Sequence, residues 1–260
     1  METWRAAPPA VLLIVACARI LAQSGEASGP KAGKPDAGVQ ALRRAQTAVG
    51  GLNRLLAIRD LTRTVEMVAS ATGSKARQTV EIIFPRTIRL TNTVETTEIT
   101  AFFDGVSGWI KSPWGVDDPL PPWQRTAAQQ DLARQLECLL QSDRDGRKTV
   151  EFAEFSKVGE KMADVLKISV PAGGAMRLAI DSESGDPIRL EYHRIGPQGP
   201  GPLITDFYGD YRKTPYGLRM PFQVRTLSDG KPYMETVITS IEYNRGLRSD
   251  VLGRRDFRLP

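Results

Sequence analysis

The chain is poor in the residues from which most metal and catalytic sites are built. Its 260 residues include one histidine and two cysteines. A His/Cys metal site needs several convergent ligands, so His193 has no partner set and no metal is expected. It shares a strand face with Arg189 and Glu191, opposite the apolar Ile188, Leu190 and Tyr192, and is expected to face solvent. No P-loop and no dinucleotide fingerprint occurs, so no cofactor is expected. Gly105-Val106-Ser107-Gly108 lacks the second spacer of a nucleophile elbow and sits in a hairpin context. Asp117-Asp118 reads as a solvated loop beside prolines. Asp181, Glu183 and Asp186 lack calcium-loop spacing and read as a turn. An enzyme would have to rest on acids such as Asp164 or Glu191, with no recognisable motif around them. No catalytic residue is assigned and no enzyme is expected.

Charge of one sign is also scarce. The 35 Lys and Arg are interleaved with 30 Asp and Glu, for a net +5. No basic stripe or nucleic-acid motif accompanies that balance, and no nucleic-acid partner is expected. The apolar run Ala10–Ala18 is nine residues long. A bilayer span needs about 20 residues, whereas a secretory h-region needs about 7–15. Residues 1–22 are therefore predicted to be a signal peptide cut between Ala22 and Gln23, placing the mature protein in the periplasm or outside the cell. Two alternatives stay open. Ile14-Val15-Ala16-Cys17 resembles a lipobox, which would tether the protein through Cys17, or the segment is an uncleaved anchor. Membrane contact is expected only in those two cases. With the signal removed, Cys138 stands alone, and its helical, leucine-rich setting predicts a buried small side chain.

Residues 23–37 hold Ser, Gly, Ala, Lys and Pro with no large run of apolar side chains, which predicts a flexible linker. The folded domain is predicted over 38–260. Val39–Leu56 reads as a helix interrupted at Gly50-Gly51. Trp123–Gln141 reads as a second helix with Ala128, Leu132, Leu136, Leu139 and Leu140 on its apolar face and Gln130, Arg134 and Glu137 opposite. About five Thr- and Val-rich strands lie before that helix and about seven after it, separated by Gly, Asp and Pro turns. This predicts a mainly β (α+β) fold, an antiparallel meander curling toward a barrel.

Apolar side chains recur with period two. Val80, Ile82 and Phe84 share a face, as do Leu166, Ile168 and Val170, and Met176, Leu178 and Ile180. Ile188, Leu190 and Tyr192 follow the same pattern. A long sheet with one apolar face must curl over something, and the two helices supply it. Periodicity alone favours a filled core over a cavity.

The chain resembles the LolA-like family, the periplasmic outer-membrane lipoprotein-sorting proteins and their relatives. The resemblance rests on Phe84-Pro85-Arg86-Thr87-Ile88-Arg89-Leu90, on Phe103-Asp104-Gly105 leading to Trp109, and on the mid-chain helix. Leu178-Ala179-Ile180-Asp181 with Gly185-Asp186-Pro187, Tyr208-Gly209-Asp210-Tyr211 before Gly217 and Pro221, and the ending Asp256–Pro260, which looks like a last strand, extend it. It implies a half-open antiparallel β-barrel of about eleven strands, with helices lidding or plugging the concave face. It also implies a cavity for acyl chains. Its walls would be Val80, Ile82, Phe84, Ile88, Leu90 and Trp109 on one side and Leu166, Ile168, Leu178 and Leu190 on the other, with Leu132, Leu136 and Leu140 on the lid. In the family's carriers a basic residue before the proline helps hold the lid; here Phe84 stands there. The expected function is an exported, non-catalytic protein holding an apolar ligand, such as an acyl chain, a lipid or a lipoprotein's lipid moiety. The alternative is an envelope protein-interaction or sensor module with a filled core.

Overall fold

A computed structural model describes residues 35–117, 119–144, 146–171 and 174–254. The predicted signal peptide, Cys17, most of the linker and the ending Asp256–Pro260 lie outside the described residues. Among the described residues thirteen strands form one antiparallel sheet. The first six are β1 (Asp60–Ala69), β2 (Lys75–Ile83), β3 (Thr87–Val94), β4 (Thr97–Phe103), β5 (Gly108–Ser112) and β6 (Gly115–Asp117). The other seven are β7 (Thr149–Val158), β8 (Lys161–Val170), β9 (Gly174–Asp181), β10 (Pro187–Gly196), β11 (Gly199–Lys213), β12 (Arg219–Ser228) and β13 (Lys231–Tyr243). The spatial order is β6-β5-β4-β3-β2-β1-β13-β12-β11-β10-β9-β8-β7. Two meanders are thus joined where the first strand pairs with the last. The edges are β6 and β7, so the barrel stays open between them.

The mainly β, half-open, helix-covered fold expected from the sequence is the fold observed. The strand number differs. Gly115–Asp117 belongs to none of the strands expected from the sequence, yet it pairs with β5 through Ile110, Lys111 and Ser112. Three residues are too short to show a period, so tertiary pairing alone makes this a strand.

Helix α1 (Pro35–Ala48) and the short α2 (Leu52–Leu56) are separated at Gly50 and Gly51, whose φ values of 119° and 99° an L side chain rarely adopts. Ala41, Leu42, Ala45 and Val49 are buried on the inner side of this element. Gly38 lets α1 approach the β7 edge: a Cβ there would sit 2.7 Å from the Phe152 nitrogen. The predicted second helix is two helices, α3 (Pro122–Ala133) and α4 (Leu136–Leu139), because Gln135 is extended at φ −61°, ψ 136°. A short α5 (Ser249–Leu252) lies near the end of the described chain.

The main core lies on the concave face and gathers Leu42 and Leu55 of α1 and α2, Leu139 and Leu140 of the α4 region, and inward residues of both meanders. Each fully buried Leu or Ile there contributes roughly 1.5–3 kcal/mol. Two smaller clusters lie apart from it. Val158, Ala163, Val165, Ala179 and Ile188 form one, and Phe102, Trp109 and Leu252 the other.

Candidate functional site

The concave face is not covered evenly. Over β8 and β9 it is buried along the whole strand: Leu166, Ile168 and Val170 face Met176, Leu178 and Ile180, all at 7% exposure or less. Over β12, β13, β1, β2 and β3 it is buried at one end only. On β2, Ile82 and Val80 are buried, whereas Gln78 and Ala76 are half-buried. On β3, Ile88 is buried but Leu90, Asn92 and Val94 are not. Ile241 and Ile238 of β13 give way to Thr236 and Met234. Met220 of β12 gives way to Phe222, Val224 and Thr226. The register puts these half-buried ends side by side: Val80 pairs with Arg63 and Leu90, and Met67 with Ala76 and Thr236. These half-buried ends, apolar at Met67, Leu90, Val94, Phe222, Val224 and Met234 and polar at Gln78, Asn92, Thr226 and Thr236, lie along the concave face as a trough toward the turns that follow β1, β3 and β12.

Helix α3 bridges this trough. It packs against β10 at one side and β3 at the other, strands six places apart in the sheet. Trp123 to Gln129 are all half-buried, with no fully buried stripe. A helix seated on a sheet shows such a stripe; this one stands off. Gln124 turns its Oε1 away from solvent without a hydrogen-bond partner.

Polar contacts at Gln130, Arg134 and Arg63 hold the bridge. The Gln130 side chain donates from Nε2 to the His193 carbonyl at 2.8 Å and accepts the Ile195 N–H at 3.1 Å. The Arg134 guanidinium lies 5.7 Å over the Tyr192 ring and donates from Nε to Asp131 at 2.8 Å. Beneath α4, Arg63 of β1 donates to Glu137 Oε1 at 2.7 Å and to Gln135 Oε1 at 2.9 Å. The Tyr243 hydroxyl donates to the same Glu137 oxygen at 2.7 Å. Burial opposes the charge on Arg63, but Glu137 and Tyr243 outweigh it and raise its pKa. Burial raises the Tyr243 pKa as well.

This arrangement corrects the reading of α3 and α4 as one amphipathic helix. Gln130 and Glu137 belong inside: they are 3% and 0% exposed. The break at Gln135 resets the helical phase, and Arg63 gives Glu137 a buried partner that no helical period can reveal. Arg63 also holds the helices from a position the sequence reading passed over, with Phe84 in its expected place half-buried against the core.

Of the expected cavity residues, Val80, Ile82, Ile88, Leu132, Leu136, Leu140, Leu166, Ile168, Leu178 and Leu190 lie in the main core, and Phe84 and Leu90 pack against it. Trp109 does not. It stacks on Phe102, ring centroids 5.8 Å apart, in the separate cluster under α5. Its neighbour Ile110 is the one that faces the core. Ile188 also departs from its expected face. The register slips between Pro187 and Arg189, so Ile188 joins Val165 and Ala179 while Leu190 and Tyr192 stay concave.

The acids considered for an enzyme, Asp164 and Glu191, sit in ion pairs, as do two of the turn acids. Asp164 meets Arg44, and Glu191 meets Arg177 and Arg189. Asp181 takes Lys161 at 2.6 Å and caps its own turn through the Glu183 N–H and the Ser184 hydroxyl. Asp186 pairs with Arg219. His193 is exposed as expected, and Cys138 is buried. Among the described residues no His, Cys, Asp or Glu side chains gather as a metal site.

One buried acid lies under the bridge. Asp206 of β11 is 5% exposed and accepts a hydrogen bond from the Thr226 hydroxyl at 2.6 Å. Burial pushes its pKa up, more than Arg134, Thr226 and Arg194 pull it down. A folded-state pKa above the unfolded one favours folding at low pH, and that contribution is lost as pH rises through the folded value. Asp206→Asn keeps the acceptor for Thr226 and removes the charge. The variant is expected to be more stable at pH 7, by about 1.4 kcal/mol for each tenfold gain in the folded carboxyl's proton affinity. The advantage should vanish below the ordinary carboxylate range, near pH 3.9. Thermal melts from pH 3 to 8 check this; an equal gain at every pH would refute it.

No family model matches the chain, and no curated protein matches its sequence. Solved structures match its backbone. A domain assigned to the outer membrane lipoprotein-sorting proteins, from Vibrio parahaemolyticus, is 12% identical with a TM-score of 0.57, covering 85% of this chain and 100% of that one. A LolA superfamily protein from Nitrosomonas europaea is 14% identical with a TM-score of 0.55, covering 81% of this chain and 97% of that one. A DUF1329 family protein from Desulfovibrio piger is 9% identical with a TM-score of 0.54, covering 83% and 96%. At such identities the likeness is one of architecture, and the fold of this chain is a LolA-like fold.

Proposed function

We propose that this is an exported, non-catalytic binding protein that holds an apolar ligand on its concave face beneath α3. The ligand is an acyl chain, a lipid or the lipid moiety of a lipoprotein. One observation carries the reading: half-buried apolar side chains line a continuous trough over β12, β13, β1, β2 and β3, beneath a helix with no fully buried stripe along Trp123–Gln129. A trough with apolar walls and a few polar groups suits such a ligand. Each buried CH₂ adds about 0.8 kcal/mol, so a long chain needs no charged contact to bind. The LolA-like fold and the secretory pattern of residues 1–22 support export to the envelope.

Ala128, on α3 and packed partly against the core, tests the reading. Ala128→Trp is expected to abolish binding of a fluorescent fatty-acid probe while the melting temperature stays within a few degrees of wild type, because the trough accepts the ring. A filled site would be overpacked, at a cost of about 1–3 kcal/mol. Destabilisation of that size, in a protein whose wild type does not bind the probe, would reject the carrier. It would favour a protein-interaction module instead. That second reading has its own observation: Trp114 and Val116 are 58% and 43% exposed on the β5–β6 edge hairpin.

A further inference from the structure

The rim of the trough carries a cation, Arg194, that has acids nearby but, among the described residues, none at ion-pair distance. Arg194 of β10 lies beside the point where the pairing with β11 slips, between His193 and Ile195, and its side chain neighbours Tyr192, and Asp131 near the end of α3, on the concave side. It is half-buried. Its guanidinium lies 5.8 Å over the ring of Tyr233 on β13 and hydrogen-bonds that tyrosine. Tyr192, Asp131 and Asp206 are its other titratable neighbours. The nearby acids are engaged elsewhere: Asp131 with Arg134 at 2.8 Å, and Asp206 with Thr226 at 2.6 Å. Among the described residues Arg194 forms no ion pair. The contact with Tyr233 holds the guanidinium at the rim, and a guanidinium fork suits a carboxylate or phosphate.

We infer that Arg194 receives the anionic head of a single-chain amphiphile, a carboxylate or a phosphate ester, whose alkyl chain lies in the trough toward Met67 and Leu90. This rests on the proposed function and narrows the ligand class. From β13 to β3 the trough crosses three strand spacings, roughly 14 Å at about 4.8 Å each. A twelve-carbon chain is therefore a suitable probe.

The experiment compares dodecanoate, dodecyl phosphate, dodecanol and inorganic phosphate, each by calorimetric titration of the full mature chain below micelle formation. Wild type should bind one or both anionic amphiphiles about tenfold more tightly than dodecanol, the scale of one charge-assisted contact. Whether carboxylate or phosphate leads identifies the head. Arg194→Gln should erase the preference and leave dodecanol affinity unchanged, and Arg194→Lys should keep most of it. Wild type binding dodecanol as tightly as dodecanoate and dodecyl phosphate would overturn the inference while leaving the carrier intact. No binding of any dodecyl compound would overturn both. Inorganic phosphate binding as tightly as dodecyl phosphate would mark a simple anion site and also overturn it. If Arg194→Gln does not fold, the wild-type series and the lysine variant decide.

Discussion

Arg63→Met is expected to destabilise the protein by about 3–5 kcal/mol, the usual cost of leaving one member of a buried ion pair unpaired. The Glu137 side chain is 0% exposed and that of Arg63 13% exposed. Without the guanidinium, Glu137 keeps only the Tyr243 hydroxyl at 2.7 Å. The buried carboxylate then loses its counter-ion and α4 its tie to β1. Removing both charges should be gentler. Arg63→Met with Glu137→Leu fills the space with apolar groups and leaves no orphaned charge, so it should recover most of the loss. Urea unfolding of the two single variants and the double variant closes the cycle. Additive losses would show that the two side chains are not coupled and that α4 is held by packing alone.

Leu140→Ala is expected to cost about 2–5 kcal/mol, the range for truncating a fully buried leucine. Leu140 is 0% exposed where α4 plugs the closed end of the concave face. Its carbonyl accepts a hydrogen bond from Gln46 Nε2 at 2.8 Å, and that same amide reaches Asp143 at 2.9 Å. The backbone is thus pinned to α1 and cannot follow the lost side chain inward, which places the cost toward the upper part of the range. The hole left behind is apolar and continuous with the core. An apolar ligand should therefore partly restore stability, by about 2.7 kcal/mol at a hundred times its Kd. Melts of the variant with and without a fatty-acid probe test both parts. A loss under about 1 kcal/mol would mean the site collapses, and the pinning argument would fail.

The same pairing explains which features were legible in the chain. Strand phase was readable wherever period two ran unbroken, as in Val80 and Ile82 or Leu166, Ile168 and Val170, because burial on one face leaves that trace in composition. It failed at Ile188, where a register slip turns one residue over. Trp109, expected in the cavity wall from the family resemblance and not from strand phase, lies instead in the cluster with Phe102 and Leu252 of α5. The break at Gly50-Gly51 was visible because left-handed backbone selects glycine. The break at Gln135 was not, because glutamine is an ordinary helix residue.

Residue order by itself therefore determined the meander, its turns and the apolar face, since each depends on neighbours within a few positions. The chain's poverty in histidine and cysteine likewise needed no structure to be read. Only tertiary structure decided that Arg63 meets Glu137 across 74 residues, that α3 bridges strands six places apart, and that the concave face is buried along β8 and β9 but only at one end from β12 to β3. A strand's period is the same whether its side chains line a core or a trough. What covers them comes from residues distant in sequence, and no local pattern encodes that distance.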